Sequence, residues 1–289
     1  MSEGRTSGGE SMTQVLCSTG ALIGRPNGRN YKLLEEFSPQ LHCDGFEFMM
    51  YDTWYDTIDE LVSNLKSMHL NFPVMHCEKR IGESISKYGE GEFQRAIKLF
   101  RENCEIAKEI GATKLVLHLW DGITSDQAFY NNLNAYPRLQ EIAESHSLDL
   151  LVENVVCNKE NPLKHWHQLA MKYPKVHFVF DTKMAAFHNQ MDAIYEEENQ
   201  WLFQGNHVKH YHVNDYAGGY LDWENLKTLP IGKGKIDFER FFTLIRKLHY
   251  EDTFTVEATA FDQTGHVDIG LLNSCFDYIR AHMNLLPRM

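Results

Sequence analysis

Residues 149–155 read DLLVENV, and this stretch combines an apolar run with a carboxylate at its end. The run has the composition of a buried strand, and Glu153 closes it. Burying an ionised carboxylate costs several kcal/mol unless a partner compensates for its charge. The stretch therefore predicts a buried strand whose end faces a compensating group.

Further apolar runs of the same kind recur along the chain, and most are followed by an amphipathic stretch. Together with LLVENV (150–155) they are QVLCSTG (14–20), GFEFMM (45–50), FPVMHC (72–77), KLVLHLW (114–120), HFVFDT (177–182), VKHYHVND (208–215) and TFTVEAT (253–259). Their apolar residues are nearly continuous rather than alternating, which is typical of strands covered on both faces. The sequence thus predicts eight buried strands.

The stretches between these runs have helical periodicity. The clearest is 92–111, where five apolar residues recur at helical spacing and Gly111 ends the pattern; they are Phe93, Ile97, Phe100, Cys104 and Ala107. Residues 57–69, 135–146, 162–173 and 237–249 behave alike, with Asp237 as an N-cap. Strands alternating with helices predict an α/β protein, a (β/α)8 TIM barrel, with a doubly wound open sheet as the alternative.

Composition limits the domain organisation and the partners. The polar, Gly/Ser-rich residues 1–12 are expected to be a flexible leader, and residues 13–289 a single barrel domain. A net charge of −12 without a basic run makes nucleic acid an unlikely partner. Six cysteines without a CxxC pair, no signal peptide and no run of membrane-span length indicate a reduced, cytoplasmic protein that does not enter a membrane. The chain could form a homo-oligomer.

An acid or an imidazole lies near the C-terminal end of seven of the eight predicted strands. These residues are Glu47, His76, His118, Glu153, Asp181, His212 and Glu257. In a barrel these ends gather at one mouth, where active sites lie. Carboxylates brought together would repel one another, and a divalent cation removes that repulsion. The mixed oxygen and nitrogen set suits Mn²⁺, Mg²⁺, Co²⁺ or Zn²⁺, so we expect one such ion, with Glu153 as a ligand.

Simpler explanations exist for individual residues. His118 could be a core histidine, and Asp181 could be a helix N-cap. Glu47 could pair with an arginine or lysine across the mouth. His210 and His212 alternate through one residue and share a face, so either could be the ligand.

The motifs LLVENV, FVFDT, VKHYHVND, LPIGKGKIDF and TVEAT resemble those of the xylose isomerase-like TIM-barrel superfamily, over roughly residues 14–285. This group contains sugar phosphate isomerases and epimerases together with the apurinic endonucleases. The resemblance implies that Glu153, Asp181, His212 and Glu257 bind the metal. It further implies that Glu153 and Glu257 exchange protons with a small sugar or polyol, phosphorylated or not, through a metal-stabilised enediolate.

The resemblance also suggests further contacts around this centre. The candidate substrate-binding residues are His76, His118, Trp120, Lys183 and His188. Lys183 could hold an anionic group such as phosphate, or could simply be a solvated lysine. His76 and His118 could instead hold a second metal, with Glu153 as a bridge. The GKGKID loop lacks the glycines and the preceding strand of a nucleotide fingerprint, so we expect no nucleotide cofactor.

The chain departs from the family pattern at two positions. Met184 stands where many members have a second histidine, and His188, one helical turn later, could substitute for it. Gly218 stands where epimerases often carry an arginine. Because loop 215–230 also lacks a histidine, the third metal of the endonucleases would lose its ligands, which disfavours phosphodiester cleavage. A metal-dependent dehydratase acting on a keto-polyol remains an alternative with the same ligand set.

Overall fold

Eight parallel strands close into a barrel in the order β1 to β8 in the computed structural model. The structure describes residues 13–87, 89–121, 126–204 and 207–288, so the predicted leader at 1–12 lies outside the described residues. The strands are β1 Gln14–Ser18, β2 Gly45–Met49, β3 Val74–His76, β4 Lys114–Leu117, β5 Asp149–Glu153, β6 His177–Asp181, β7 Val208–His212 and β8 Thr253–Val256. The pairing of β1 with β8 closes the barrel. The predicted (β/α)8 barrel is therefore confirmed, and the alternative of a doubly wound open sheet is wrong.

Helices lie in the connections between the strands. They are α1 Thr19–Leu22, α2 Leu34–Phe37, α3 Ile58–Ser67, α4 Arg80–Ser86, α5 Glu90–Glu109, α6 Phe129–Ser145, α7 Pro162–Lys172, α8 Thr182–Phe187, α9 Gln200–Gln204, α10 Phe238–Lys247 and α11 Ile269–Met283. Helix α10 begins as predicted, because the Asp237 side chain accepts a hydrogen bond from the Arg240 N–H. Within the described chain, no helix combines the length and the apolar character needed to cross a bilayer.

Helix α6 begins earlier than the sequence pattern predicted, at Phe129 rather than Ala135. Asparagine has a modest helix propensity, which hid the first turns of this helix. Tertiary contacts override that propensity. The buried Asn132 side chain donates hydrogen bonds to the carbonyl oxygens of Gly82 and Leu119, at 2.8 and 2.6 Å. These bonds tie the start of α6 to α4 and to the loop that follows β4.

The barrel interior has an apolar floor below a polar mouth. Five buried residues from different strands form the floor: Leu16, Val74, Val116, Leu151 and Val179. Side chains two residues apart on a strand point to the same side of the sheet. The residues two positions further along are Ser18, His76, His118, Glu153 and Asp181, all of them buried. The alternation of each strand therefore places the polar groups directly above the floor, at the C-terminal ends.

Candidate active site

Four predicted ligands meet at the mouth of the barrel. Glu153, Asp181 and His212 end β5, β6 and β7, and Glu257 directly follows β8. One ligand atom from each lies within 4.8 Å of the others. The Nδ1 atom of His212 is 3.3 Å from Glu153 Oε1, 3.5 Å from Glu257 Oε2 and 4.0 Å from Asp181 Oδ2. We call these residues the four-ligand cluster. Glu257 is its most accessible member, with 12% of its side chain exposed.

Asp181 divides its two carboxylate oxygens between the fold and this cluster. Its Oδ1 accepts a hydrogen bond of 2.8 Å from the Met184 N–H, which caps α8. Its Oδ2 lies on the side of His212. The neighbouring Asn154 fixes the peptide of Asp181, since the amide oxygen of Asn154 accepts from the Asp181 N–H at 2.6 Å and its amide nitrogen donates to the Asp181 carbonyl at 3.0 Å. The N-cap explanation for Asp181 and its place in the cluster are therefore compatible.

The two histidines of β7 occupy different levels of the barrel interior. His212 reaches the four-ligand cluster through Nδ1, while its Nε2 lies 3.1 Å from both oxygens of Glu47. His210 lies deeper, with Nε2 at 2.8 Å from Glu47 Oε2 and Nδ1 at 2.6 Å from Thr253 Oγ1. The alternative that Glu47 pairs with an arginine or lysine is therefore wrong, because two imidazoles occupy the space beside it.

A second pair of histidines lies on the other side of Glu153. The Nε2 atoms of His76 and His118 are 3.3 and 2.9 Å from Glu153 Oε2. The other oxygen of Glu153 faces His212. Ligand atoms of His76, His118 and Glu153 also lie within 4.8 Å of one another. Glu153 thus stands between two groups of metal-binding side chains, with one oxygen turned toward each.

Electrostatics within this buried cluster oppose the cost of burial. Burial alone would raise the pKa of Glu153, but His118 and His212 hold it well below its ordinary value. Burial would lower the pKa of His212, but Glu257, Glu47 and Glu153 raise it well above its ordinary value. Without a metal, His212 is therefore protonated and supplies part of the positive charge that the carboxylates require.

Asp181 responds in the opposite direction. Burial raises the pKa of Asp181 to about 6, against the opposing effect of Lys183, and Glu257 and Glu153 add to the rise. The part of this rise that comes from Glu257 and Glu153 is the repulsion expected when carboxylates crowd together. The cluster is therefore short of positive charge, which is the condition that a divalent cation relieves.

Two functional candidates escaped the sequence reasoning. Asn214 donates from its amide nitrogen to Glu257 Oε2 at 3.1 Å and to Asp181 Oδ2 at 3.3 Å, and its amide oxygen accepts from the Glu257 N–H at 2.9 Å. The signal was its position two residues after His212, on the same face of the chain. Lys79 lies in the loop after β3. Desolvation lowers the pKa of Lys79, but Glu257 and other acids of the mouth outweigh it and raise the pKa.

The remaining candidate residues lie in different parts of the structure. Lys183 is buried, with Nζ at 3.1 Å from Thr228 Oγ1 and 4.0 Å from Asp181 Oδ2, so it borders the four-ligand cluster. Trp120 is fully buried in the outer core, and its indole N–H donates to the Val156 carbonyl at 3.2 Å. His188 is also buried, and its Nε2 accepts from the Cys157 N–H at 3.1 Å. The described contacts of Trp120 and His188 hold loops in place.

The GKGKID loop is folded onto a buried carboxylate. Asp215 accepts hydrogen bonds from the N–H groups of Gly232 and Gly234 through Oδ2, at 2.9 and 2.8 Å. Its Oδ1 accepts from the Ile236 N–H at 3.1 Å. A Cβ at position 234 would overlap the Asp215 carboxylate, so glycine is required there. The loop glycines serve this close approach.

The model of the xylose isomerase-like TIM barrel family matches residues 38–269, which is most of the chain. The chain belongs to this family. The match includes all four residues of the four-ligand cluster, together with His76 and His118. No curated protein sequence matches the chain.

Solved structures with the same fold extend the comparison. A D-allulose 3-epimerase from Methylomonas sp. in complex with D-allulose has a TM-score of 0.67 at 13% identity, covering 94% of this chain and 98% of that one. The IOLI protein with a bound zinc atom has a TM-score of 0.68 at 15% identity, covering 94% and 98%. The 3-keto-D-glucoside 4-epimerase YcjR from E. coli has a TM-score of 0.62 at 16% identity, covering 93% and 99%. At these identities the likeness establishes the fold.

Proposed function

We propose that this protein is a metal-dependent isomerase or epimerase of a small sugar or polyol. The observation that carries the proposal is the meeting of Glu153 and Glu257 with Asp181 and His212 around one point of the barrel mouth. The epimerases among the similar structures, one of them solved with D-allulose, support this choice of substrate class.

The residues of the four-ligand cluster fit a divalent metal. Three carboxylates and one imidazole bring their ligand atoms within 4.8 Å, and the site contains no sulfur. Oxygen and nitrogen ligands of this kind suit Mn²⁺, Mg²⁺, Co²⁺ or Zn²⁺. The Glu47 carboxylate behind His212 is the outer partner that metal-binding histidines generally have. An ion held there would supply Lewis-acid polarisation of a substrate oxygen.

The two glutamates would move the protons. One removes the proton from the carbon beside the substrate carbonyl, and the other returns a proton, either to the opposite face of that carbon in an epimerisation or to the adjacent carbon in an isomerisation. Asn214 holds Glu257 through both its side chain and its backbone N–H. Because Glu257 is partly exposed while Glu153 is buried, Glu257 is the residue that an entering substrate meets first.

Two lysines at the mouth suit an electron-rich substrate. Lys79 lies in the loop after β3, and Lys183 is buried beside Asp181. Ammonium groups in these positions can donate to sugar oxygens or to a phosphate. Phosphorylated and neutral sugars should therefore be tested side by side.

The decisive experiment is exchange of a carbon-bound proton in heavy water. Metal-loaded protein should catalyse deuterium incorporation into a keto-sugar from a panel of pentoses and hexoses, followed by NMR, and chelation should stop it. Glu257→Gln should lower the rate about a thousandfold, because a proton-transfer group is lost. Glu251→Gln, an exposed glutamate just before β8, is the matched control and should leave the rate unchanged. Full activity in Glu257→Gln would refute the acid/base assignment.

The same samples separate the competing activities. A dehydratase would produce a conjugated chromophore from a keto-polyol, and an endonuclease would nick duplex DNA at an abasic site with a steep salt dependence. His76 and His118 both lie next to Glu153 Oε2, so the protein should also be tested for a second bound ion. Loss of one bound metal in His76→Gln, with the four-ligand cluster intact, would identify a two-metal centre.

A further inference from the structure

A further group of metal-binding side chains lies outside the barrel interior, on three different elements. Asp126 lies just before α6, Cys157 lies in the loop after β5, and His165 belongs to α7. One ligand atom from each lies within 4.8 Å of the others. All three are buried, with exposures of 2%, 0% and 2%. We call them the Asp-Cys-His cluster.

The ring of His165 presents an unused lone pair to this cluster. Its Nδ1 lies 3.4 Å from Gln168 Oε1, an acceptor, and we assign the ring proton to Nδ1 from this contact. Its Nε2 has no hydrogen-bond partner in the described structure and lies 3.8 Å from Asp126 Oδ2. Burial lowers the pKa of His165, which keeps the ring neutral. Two acceptor atoms therefore face each other across a gap, an arrangement that an electropositive group would stabilise.

Asp126 is held in place by backbone N–H groups. Its Oδ1 accepts from the Asn158 N–H at 3.1 Å, and its Oδ2 accepts from the N–H groups of Lys159 and Glu160 at 2.9 and 3.1 Å. The stacking of His165 on Phe129, with ring centroids 3.7 Å apart, fixes the imidazole in the same way. Both groups are therefore positioned before any ligand arrives.

The neighbourhood of the cluster also includes a surface cavity and a buried ring N–H group. Asp126 and His165 line a surface cavity of about 640 Å³. The cavity therefore borders the Asp126 and His165 side of the cluster, while Cys157 lies behind its lining. His188 Nε2 accepts from the Cys157 N–H, so the ring proton of His188 is on Nδ1, which is buried without a partner in the described structure.

We propose that Asp126, Cys157 and His165 bind a second divalent transition metal of the zinc class, independently of the four-ligand cluster. Sulfur, imidazole nitrogen and carboxylate oxygen are the ligand types that tetrahedral zinc takes, and three protein ligands leave one position for water. On binding, the Cys157 thiol loses its proton to solvent and the thiolate bonds to the ion. The ion would join the loops after β4 and β5 to α7.

Cobalt(II) is the probe that tests this site, because only a thiolate ligand gives a sulfur-to-cobalt charge-transfer band in the near-ultraviolet. The four-ligand cluster contains no sulfur and cannot produce the band. We expect metal-stripped wild-type protein titrated with Co²⁺ to develop it and added Zn²⁺ to abolish it. Cys157→Ser should lose the band and one bound ion by elemental analysis. Cys43→Ser, a matched control at a half-buried free cysteine, should retain both.

Two further variants keep the test decisive. An Asp181→Asn/Glu257→Gln double variant should lose sugar exchange but keep the charge-transfer band, which separates this site from the proposed activity. His165→Gln keeps the thiol and should weaken Co²⁺ binding at least tenfold, so it replaces Cys157→Ser if that variant fails to fold. Absence of the band in wild-type protein, or its survival in Cys157→Ser, would overturn the proposal.

Discussion

Replacing Glu47 by glutamine tests whether the four-ligand cluster depends on its outer partner. Glu47 is fully buried, and its carboxylate accepts from His212 at 3.1 Å and from His210 at 2.8 Å. Glutamine has nearly the same shape but offers one acceptor oxygen and one N–H donor group. In either orientation its amide N–H group replaces an oxygen that now lies 2.8–3.1 Å from an imidazole Nε2, so a donor faces a donor there.

The expected loss follows from these contacts. His212 directs Nδ1 to the cluster while its Nε2–H is held by Glu47, so loss of that anchor frees the ring and its tautomer. Removing an outer partner of this kind typically weakens metal affinity about 10- to 100-fold. At about 1.4 kcal/mol for each factor of ten, this corresponds to about 1.4–2.8 kcal/mol. The unpaired buried group should also cost the metal-free protein about 1–3 kcal/mol of unfolding free energy.

Two measurements keep the effects apart. Competition with a chromophoric chelator gives the metal Kd, and urea unfolding of metal-free protein gives the stability change. Glu78→Gln is the matched control, since Glu78 is also buried but pairs with Arg80 outside the cluster. A Kd for Glu47→Gln equal to that of Glu78→Gln would refute the argument that Glu47 orients His212.

Two further predictions concern pH and packing. Metal affinity should fall with falling pH by about tenfold per pH unit for each ligand that must lose a proton, and the contribution of Asp181 begins at about pH 6, because its pKa in the metal-free protein is about 6. The raised pKa of His212 acts in the same direction. A metal affinity that does not change between pH 5 and pH 8 would contradict both contributions. Gly82→Ala should cost about 1–3 kcal/mol in urea unfolding, because the added Cβ would overlap the His118 carbonyl. Gly91→Ala, where a Cβ meets nothing within 4 Å, should instead gain up to about 1 kcal/mol, and equal effects would refute the clash.

The fold could be predicted because its determinants are local. Apolar runs with an acid or imidazole at their C-terminal ends specify both a buried strand and the direction in which it meets the mouth. Residues such as Leu151 and Glu153 are two positions apart, so one strand supplies both the floor and the site. The start of α6 was missed because its stabilising contacts come from distant parts of the chain.

The site was only partly predictable because depth within the barrel is not a local property. His210 and His212 share a face, and the stagger of the strands decides which one reaches the cluster; His210 pairs with Thr253 and His212 with Thr255. The partners of Glu47 depend on how the barrel closes across its interior. Lys79 comes from a loop whose course no periodicity specifies.

Asp181 places an unusual restriction on substitution in this chain. One oxygen of its side chain begins α8, while the other lies in the four-ligand cluster. Serine could cap the helix but is neutral, and glutamate is charged but is too long to be a favoured N-cap. Among the common side chains, aspartate alone combines a short reach with a negative charge. A substitution of Asp181 would therefore weaken both the start of α8 and metal binding. A second substitution that restored one of them would leave the other impaired.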